Sequence, residues 1–282
     1  MLVLEKGGKV RKILNGLLQE EPLIELSVDS INERGLLGVA AAFNELGNNQ
    51  SSKRITVNNS EPGNKRIDVF LYFTELLSRT ASSSSSPYTL IDSASEQIRN
   101  RVYKYEWLTQ NLTNPELILD LPALPGPNHN GGKIAIGPDN YLNVVIGDLN
   151  RHRKLQNYRN GAEPDDTGVI LRINPDKRED NASYFDDNKD NVSLSNTDIE
   201  NAITETGNTQ YNISHRYHAY GIRNSFGIAF DPVAGSLWET ENGFTNYDEI
   251  NVINPGFNGG WQAIMGPLSK KTGDIDAESI LR

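Results

Sequence analysis

Short apolar or alternating segments, separated by turn residues, recur along the whole chain. Examples are RIDVFLYFTE at 66–75, NRVYKYEW at 100–107 and GVILRINPD at 168–176. Alternation with a period of two is typical of β-strands, whereas helical periodicity over ten or more residues is hard to find. The pattern therefore predicts an all-β fold, and a sandwich, a barrel or a propeller would each satisfy it.

Three parts of the sequence repeat one order of features. Each has a Gly-containing lead-in, an apolar strand, a turn and a second apolar strand, and then continues into a third strand. The matching glycines are the evenly spaced Gly35, Gly131 and Gly227. A unit that cannot cover its own apolar faces must stack on copies of itself, so the repeat predicts the four-stranded blades of a β-propeller. The first residues add a strand, a turn and a strand.

Three polar stretches interrupt this pattern at 44–65, 78–99 and 176–210. Their apolar content is too low for packing into a core, and the second contains a run of five serines. We therefore expect one propeller domain over residues 1–282 that carries these stretches as surface insertions.

Composition removes several classes of function. The net charge of −10, with no block of Lys or Arg, argues against nucleic acid or an anionic membrane surface as a partner. The absence of cysteine excludes disulfides and thiolate metal sites. The longest apolar run, at 35–43, is far shorter than the ~20 residues of a membrane helix, so we expect a soluble protein. The first residues are not a secretory signal, and their start in mid-hairpin suggests a missing upstream segment.

The loop LPGPNHNGG at 124–132 contains His129, one of only four histidines, directly before a predicted strand. Gly131 and Gly132 allow close approach of the backbone, and a propeller places its ligand sites at the inner edges of its blades. A neutral imidazole there could act as a general base near neutral pH. The alternative is a turn histidine whose ring bonds a neighbouring carbonyl.

Arg223 and Asn224 occupy the same place ahead of their strand as His129 does ahead of its own. Equivalent positions of different blades converge on the central channel of a propeller. Arg223 could then neutralise an anionic cofactor or developing charge, and Asn224 could orient a carbonyl group. An inter-blade salt bridge is the alternative role for Arg223.

The segment ETENGFTNYDEIN at 239–251 is rich in acidic and amide side chains around a glycine turn. Such oxygen donors suit Ca²⁺, although their spacing is not that of an EF-hand. A solvated acidic turn is the alternative.

Taken together, these segments resemble a known family. ERGLLG, HNGGKIAIGPD, GVILRINPD, GIRNSFGIAFDP, LWETENG and YDEINVINPGFNGGW match successive signatures of the glucose/sorbosone dehydrogenases. Members are soluble six-bladed quinoproteins that oxidise aldoses with pyrroloquinoline quinone (PQQ). The resemblance implies a propeller of this type with about four blades in this chain, an aldose substrate, an external electron acceptor, and an extracellular or periplasmic location.

The resemblance also implies roles for four residues of the candidate site. His129 would remove the proton of the sugar's anomeric hydroxyl while hydride passes to the quinone. Arg223 would stabilise charge on the quinone carbonyls, and Asn224 would contact the cofactor. Glu33 falls where the family has a polar residue near cofactor and sugar.

For calcium, the resemblance points to the segment after the glycine turn. The backbone carbonyls of Gly243 and Phe244 match the pair that holds the cofactor's Ca²⁺. Asp248 and Glu249 match an acidic pair associated with a nearby calcium or with structural support.

The chain departs from the family pattern at several points. Phe244 replaces a proline, and Phe226 and Leu149 replace polar residues, which removes hydrogen-bonding capacity where a sugar would need it. The later blades, with the Lys and Arg residues that bind the PQQ carboxylates, have no counterpart here. The chain could therefore be an inactive fragment of such an enzyme. Alternatives are a non-catalytic propeller that binds a protein or glycan, and a Ca²⁺-dependent lactonase-like hydrolase.

Overall fold

The computed structural model describes residues 1–45, 65–77, 98–108, 111–151, 165–176, 216–262 and 264–267. The first sheet contains β1 (Leu2–Leu4), β2 (Lys9–Leu14), β3 (Leu17–Leu18) and β4 (Ile24–Glu25). The second contains β5 (Leu36–Glu45), β6 (Lys65–Leu76), β7 (Ile98–Leu108) and β8 (Asn111–Leu121). The third contains β9 (Ile134–Ile136), β10 (Leu142–Ile146), β11 (Val169–Ile173) and β12 (Tyr217–Tyr220). The fourth contains β13 (Ser225–Phe230), β14 (Leu237–Glu241) and β15 (Glu249–Ile253), after which β16 (Phe257–Asn258) returns to the third sheet.

The second, third and fourth sheets each begin with an antiparallel hairpin, and a third antiparallel strand follows in chain order. The four sheets stand in a propeller arrangement. The predicted all-β propeller with about four blades is thus confirmed. Gly35 and Gly131 precede the first strands of their sheets, whereas Gly227 lies within β13.

The sheets pack face to face in a series, and the alternation of side chains along each strand explains how. In β10, Leu142, Val144 and Ile146 contribute to the core between the second and third sheets, whereas Val145 contributes to the core between the third and fourth. Successive strand residues point to opposite faces. Every residue of β10 and β11 is buried, because the third sheet is covered on both sides.

Among the described residues, the fourth sheet is covered on one side only. In β14 Leu237, Glu239 and Glu241 are buried, and Trp238, between the first two, is 41% exposed. Ile250 and Val252 of the adjacent strand are 72% and 38% exposed. The face that bears these three apolar residues thus meets solvent in this structure.

Three details differ from the sequence-based expectations. The strand β8 was not expected, because Pro115, the positive φ of Asn114 and two register shifts against β7 hide its alternation. The third sheet has five strands rather than four, and β16 pairs parallel with β12. The strands β5 and β7 each extend two residues into a predicted insertion, at 44–65 and 78–99 respectively. The other residues of these two insertions, apart from Lys65, lie outside the described residues, and so does nearly all of the insertion at 176–210.

Among the described residues, none belongs to a helix with the length and hydrophobicity that crossing a bilayer requires.

Candidate active site

The loop that carries His129 is fixed by buried polar contacts. His129 has a φ of 61°, and its backbone N–H donates to Oε2 of Glu33 over 2.6 Å. The next residue, Asn130, is fully buried, and its carbonyl accepts from the Tyr72 hydroxyl over 3.1 Å. A Cβ on Gly132 would lie 2.6 Å from the Cβ of Leu37, so only glycine allows this approach to β5. The loop is therefore held in one conformation.

The ring of His129 pairs with a carboxylate rather than with a backbone carbonyl. Its Nδ1 lies 2.5 Å from Oδ1 of Asp148, the residue that follows β10 by two positions. An ionised carboxylate can only accept, so in the neutral imidazole Nδ1 carries the hydrogen and Nε2 keeps its lone pair. A base would use that lone pair.

Asp148 itself is held from three sides. Its Oδ1 also accepts from the backbone N–H of Asn150 over 3.0 Å, and its Oδ2 accepts from the indole N–H of Trp261 over 2.8 Å. Its own backbone N–H donates to the carbonyl of Arg223 over 2.9 Å. Asp148 thus joins the His129 loop to the Arg223 loop.

Glu33 joins the same two loops a second time. The Oε2 atom that accepts from the His129 backbone also accepts from the side-chain amide of Asn224 over 2.9 Å. Asn224 is buried, and its Oδ1 has no hydrogen-bond partner within the described residues. Of the predicted site residues, Glu33, His129, Arg223 and Asn224 therefore lie together.

Arg223 is oriented by its neighbours and forms no ion pair within the described residues. Its guanidinium donates to the carbonyl of Asn242 over 2.8 Å, and its Nε is buried without a partner. Burial lowers the pKa of Arg223, an effect that the nearby carboxylates of Asp148 and Glu241 oppose. The side chain remains a cation whose donors are not all used. The described contacts do not support the alternative of an inter-blade salt bridge.

A buried acidic pair stands behind Arg223. The Oε1 atom of Glu241 accepts from the Arg223 backbone N–H over 2.5 Å. Burial, with the charge of Glu239, raises the pKa of Glu241 well above its usual range. Burial is also the main cause that raises the pKa of Glu239 to about 7, with repulsion from Glu249 adding to it.

The glycine turn after β14 is stabilised by its own acidic residue. Oδ1 of Asp248 accepts from the backbone N–H of Gly243 over 2.9 Å. A Cβ on Gly243 would lie 2.4 Å from the carbonyl oxygen of Asn246 and 2.8 Å from that of Tyr247, so backbone oxygens crowd this glycine. The neighbouring Phe244 is 64% exposed.

Asp248 and Glu249 do not act on a common point. Glu249 accepts from the backbone N–H of Gly266 over 2.5 Å, whereas Asp248 bonds its own turn. Within the described ranges, no group of three or more His, Asp or Glu side chains is placed to hold a metal ion. Each member of the acidic pair holds backbone in place, which agrees with the structural-support role left open by the sequence.

Two residues of this site were missed from sequence. Asp148 follows β10 in an ordinary Gly-Asp turn, and Trp261 ends the NGGW segment after β16. The resemblance covered both positions, but no local periodicity reveals that their side chains meet. Leu149, a noted departure, is fully buried in the core, and Phe226 is 51% exposed.

The fold and this site define a class: a β-propeller whose polar site is assembled from loops ahead of the first strands of successive blades. The sequence profile of the glucose/sorbosone dehydrogenases matches residues 1–195 and 199–277. The chain belongs to this family.

Individual relatives agree with this assignment. Quinoprotein glucose dehydrogenase B of Acinetobacter calcoaceticus is 32% identical over 181 residues, which is 59% of this chain and 32% of the relative. An oxidoreductase of Thermus thermophilus described as a glucose dehydrogenase has a TM-score of 0.63 at 26% identity, over 95% of this chain and 63% of that one. The PQQ-bound aldose sugar dehydrogenase of Streptomyces coelicolor shares the fold, with a TM-score of 0.58 at 23% identity, over 95% and 61%. The chain thus spans less than two thirds of each of these relatives.

Proposed function

We propose that the site serves PQQ-dependent oxidation of an aldose to its lactone, with His129 as general base. The observation that carries the proposal is the His129–Asp148 contact of 2.5 Å, which leaves the imidazole Nε2 free to accept a proton from a sugar hydroxyl. PQQ, when bound, supplies the redox chemistry by accepting the hydride, and an external acceptor then removes the electrons.

The residues present fit such a cofactor in part. The buried Nε of Arg223 and Oδ1 of Asn224 lack partners within the described residues, so these two consecutive residues offer one unused donor and one unused acceptor. Arg223 would hold the quinone oxygens and Asn224 would bind the cofactor's polar edge. Glu33 holds the His129 loop and the Arg223 loop together, because its carboxylate accepts from His129 and Asn224.

For calcium we propose the backbone carbonyls of Gly243 and Phe244 as ligands. Support comes from the crowded carbonyl oxygens around Gly243, because Ca²⁺ accepts backbone oxygens as well as carboxylates. Asp248 would act indirectly, by fixing the turn through its bond to Gly243. An extracellular or periplasmic location belongs to the same proposal.

The proposal is tested by titrating the purified chain with PQQ in the presence of Ca²⁺ and following quenching of its tryptophan fluorescence. We expect saturable quenching that weakens at least about tenfold in Arg223→Ala, because a buried charged donor is lost. Arg11→Ala, on the first sheet, is the control and should bind like the wild type. Quenching that rises linearly with the PQQ concentration, or that is equal in Arg223→Ala and Arg11→Ala, would overturn the cofactor assignment. A dye-linked assay over a panel of aldoses then reports turnover.

A second candidate is a propeller that binds a glycan or protein without catalysis. It is supported by Phe226 and Phe244, which offer exposed aromatic rings near the site where sugar-oxidising members have a polar residue and a proline. Saturable binding of an oligosaccharide without any PQQ binding would favour it. The lactonase-like hydrolase has no comparable support. The carboxylates of Glu33 and Asp148 bond to donors of the protein itself, and within the described residues no three His, Asp or Glu side chains are grouped to hold a metal ion.

A further inference from the structure

Trp261 reaches the site from a separate part of the chain. It follows β16, which pairs with β12, and its backbone N–H donates to the carbonyl of Gly221 over 3.1 Å. Two residues earlier, the backbone N–H of Gly259 donates to the carbonyl of Tyr220 over 2.9 Å. The indole is buried, with 9% of the residue exposed. Its position is thus fixed beside the loop that leads to Arg223.

The edge of the indole determines how Asp148 can bond. An indole N–H is a donor only, and it takes Oδ2 of the carboxylate at 2.8 Å. The other oxygen is then directed to Nδ1 of His129 at 2.5 Å. The carboxylate is held at both ends, so it cannot rotate away from the imidazole without losing a hydrogen bond.

The face of the same indole contacts the cation of the site. The guanidinium carbon of Arg223 lies 5.3 Å from the centroid of the Trp261 ring and 5.8 Å from the centroid of the Phe244 ring. These distances are within the range of cation–π attraction. The two rings are 6.3 Å apart and tilted by 35°.

We propose that Trp261 is a positioning residue that fixes the tautomer of His129 through Asp148 and the place of the Arg223 guanidinium through its ring. The positions of His129 and Arg223 do not depend on the proposed function, and only their use in catalysis rests on it. One side chain thereby keeps the base and the cation at a constant separation.

The first test is Trp261→Phe, which keeps an aromatic ring and removes the N–H. Two-bond ¹H–¹⁵N spectra of ¹⁵N-histidine protein at about pH 8, where an unperturbed imidazole is neutral, distinguish the two tautomers. The His129 signals are assigned by their loss in His129→Gln. We expect the Nδ1–H form in the wild type, and a ratio of Nδ1–H to Nε2–H at least about fivefold lower in the variant, the effect of one net hydrogen bond. An unchanged ratio would overturn the proposal.

The matched control is Trp238→Phe, the same substitution on the exposed face of the fourth sheet. It should leave the His129 signals unchanged. Asp148→Asn should move the ratio further than Trp261→Phe, because an amide can donate to Nδ1. An effect of equal size from Trp238→Phe would mean that the tautomer responds to general destabilisation, and would count against the proposal.

A second measurement needs no variant that must fold. In the wild-type protein, the indole N–H signal of Trp261 should shift during a pH titration with the same midpoint as the His129 ring. The signals of Trp107 and Trp238 should not follow it. A Trp261 signal that ignores the imidazole titration would overturn the proposal.

The contact with Arg223 has its own readout. In Trp261→Leu, which removes the ring, the Arg223 Nε–H should exchange with water at least about tenfold faster, as expected when a buried contact opens. An unchanged rate would limit Trp261 to the Asp148 contact and overturn the second half of the proposal. None of these experiments uses PQQ or sugar, so their failure is distinct from failure of the proposed function.

Discussion

Glu33 and Asn224 are 191 residues apart in sequence, and the amide of Asn224 donates to the carboxylate of Glu33 over 2.9 Å. Glu33 precedes the first strand of the second sheet, and Asn224 precedes the first strand of the fourth. The same carboxylate oxygen accepts from the His129 backbone, ahead of the third sheet. One side chain therefore ties together the entry loops of three successive blades.

Removal of this carboxylate should loosen all three loops. Glu33→Ala leaves the N–H of His129 and the amide of Asn224 without their acceptor, so we expect the free energy of unfolding to fall by ~1–3 kcal/mol. Urea denaturation measures it, and exposed Glu20→Ala is the control. Equal midpoints for the two variants would show that water replaces Glu33 without cost.

The fully buried Thr74 and Asn100 extend this support into the second sheet. The Thr74 hydroxyl donates to Asn100 over 2.7 Å, and the Asn100 amide donates to Asn130 over 3.0 Å. Asn100→Ala should lower the free energy of unfolding by ~1–3 kcal/mol, because it leaves buried polar partners unsatisfied. Amide exchange of Gly132, which donates to Val145 beside His129, should also become faster. Exposed Asn254→Ala is the matched variant, and similar behaviour of the two would contradict the prediction.

The buried acidic pair should make stability depend on pH. The pKa of Glu239 rises from 4.5 to about 7 on folding, so the folded state binds this proton more tightly than the unfolded state. Stability from this group is complete below about pH 4.5 and is lost as the pH rises through about 7, by on the order of 3 kcal/mol at about 1.4 kcal/mol per pKa unit. Glu241, whose pKa is also raised, acts in the same direction.

Glu239→Gln should flatten that dependence, because the amide resembles the protonated acid at every pH. Urea unfolding between about pH 4.5 and 8 compares the two slopes over the window in which Glu239 titrates. We expect the variant to be more stable than the wild type at the alkaline end. A parallel pair of curves would mean that Glu239 titrates alike in the folded and unfolded chains.

The chain itself should show little or no sugar dehydrogenase activity with PQQ and Ca²⁺. The chain spans less than two thirds of the solved relatives, and small misplacement of reacting groups costs large factors in rate. Dye reduction with glucose and other aldoses measures it. Robust turnover that disappears in His129→Ala would show that four sheets suffice.

The repeat in the sequence was enough to bring most of the site together. Glu33 and His129 each stand two residues before a matching glycine, and Arg223 and Asn224 stand just before the third. Because equivalent loops of successive blades converge, His129, Arg223 and Asn224 were expected in one place, and they lie there. Glu33 was placed beside them by the family resemblance alone. The apolar segment between turns likewise predicted the strand β10, which is buried on both faces because its sheet lies between two others.

The sequence could not show contacts that depend on the third dimension alone. Asp148 and Trp261 are 113 residues apart and share no repeat position, so only the folded chain reveals their contact. Asp248 and Glu249 are neighbours in sequence, but Asp248 lies in the turn and bonds the Gly243 N–H, whereas Glu249 begins β15 and bonds the Gly266 N–H. That geometry separates two carboxylates that composition alone would group around one cation.

The parallel pairing of β16 with β12 has a mechanical consequence. The chain leaves the third sheet after Tyr220, builds the fourth sheet, and returns to bond Ala219 and Tyr220 through Phe257 and Asn258. The segment that forms the fourth sheet therefore starts at the end of β12 and finishes in β16, which is hydrogen-bonded to β12. Under a pulling force the third and fourth sheets should separate from the second as one unit rather than one after the other. A single proteolytic cut near Gly256 would remove this link between them.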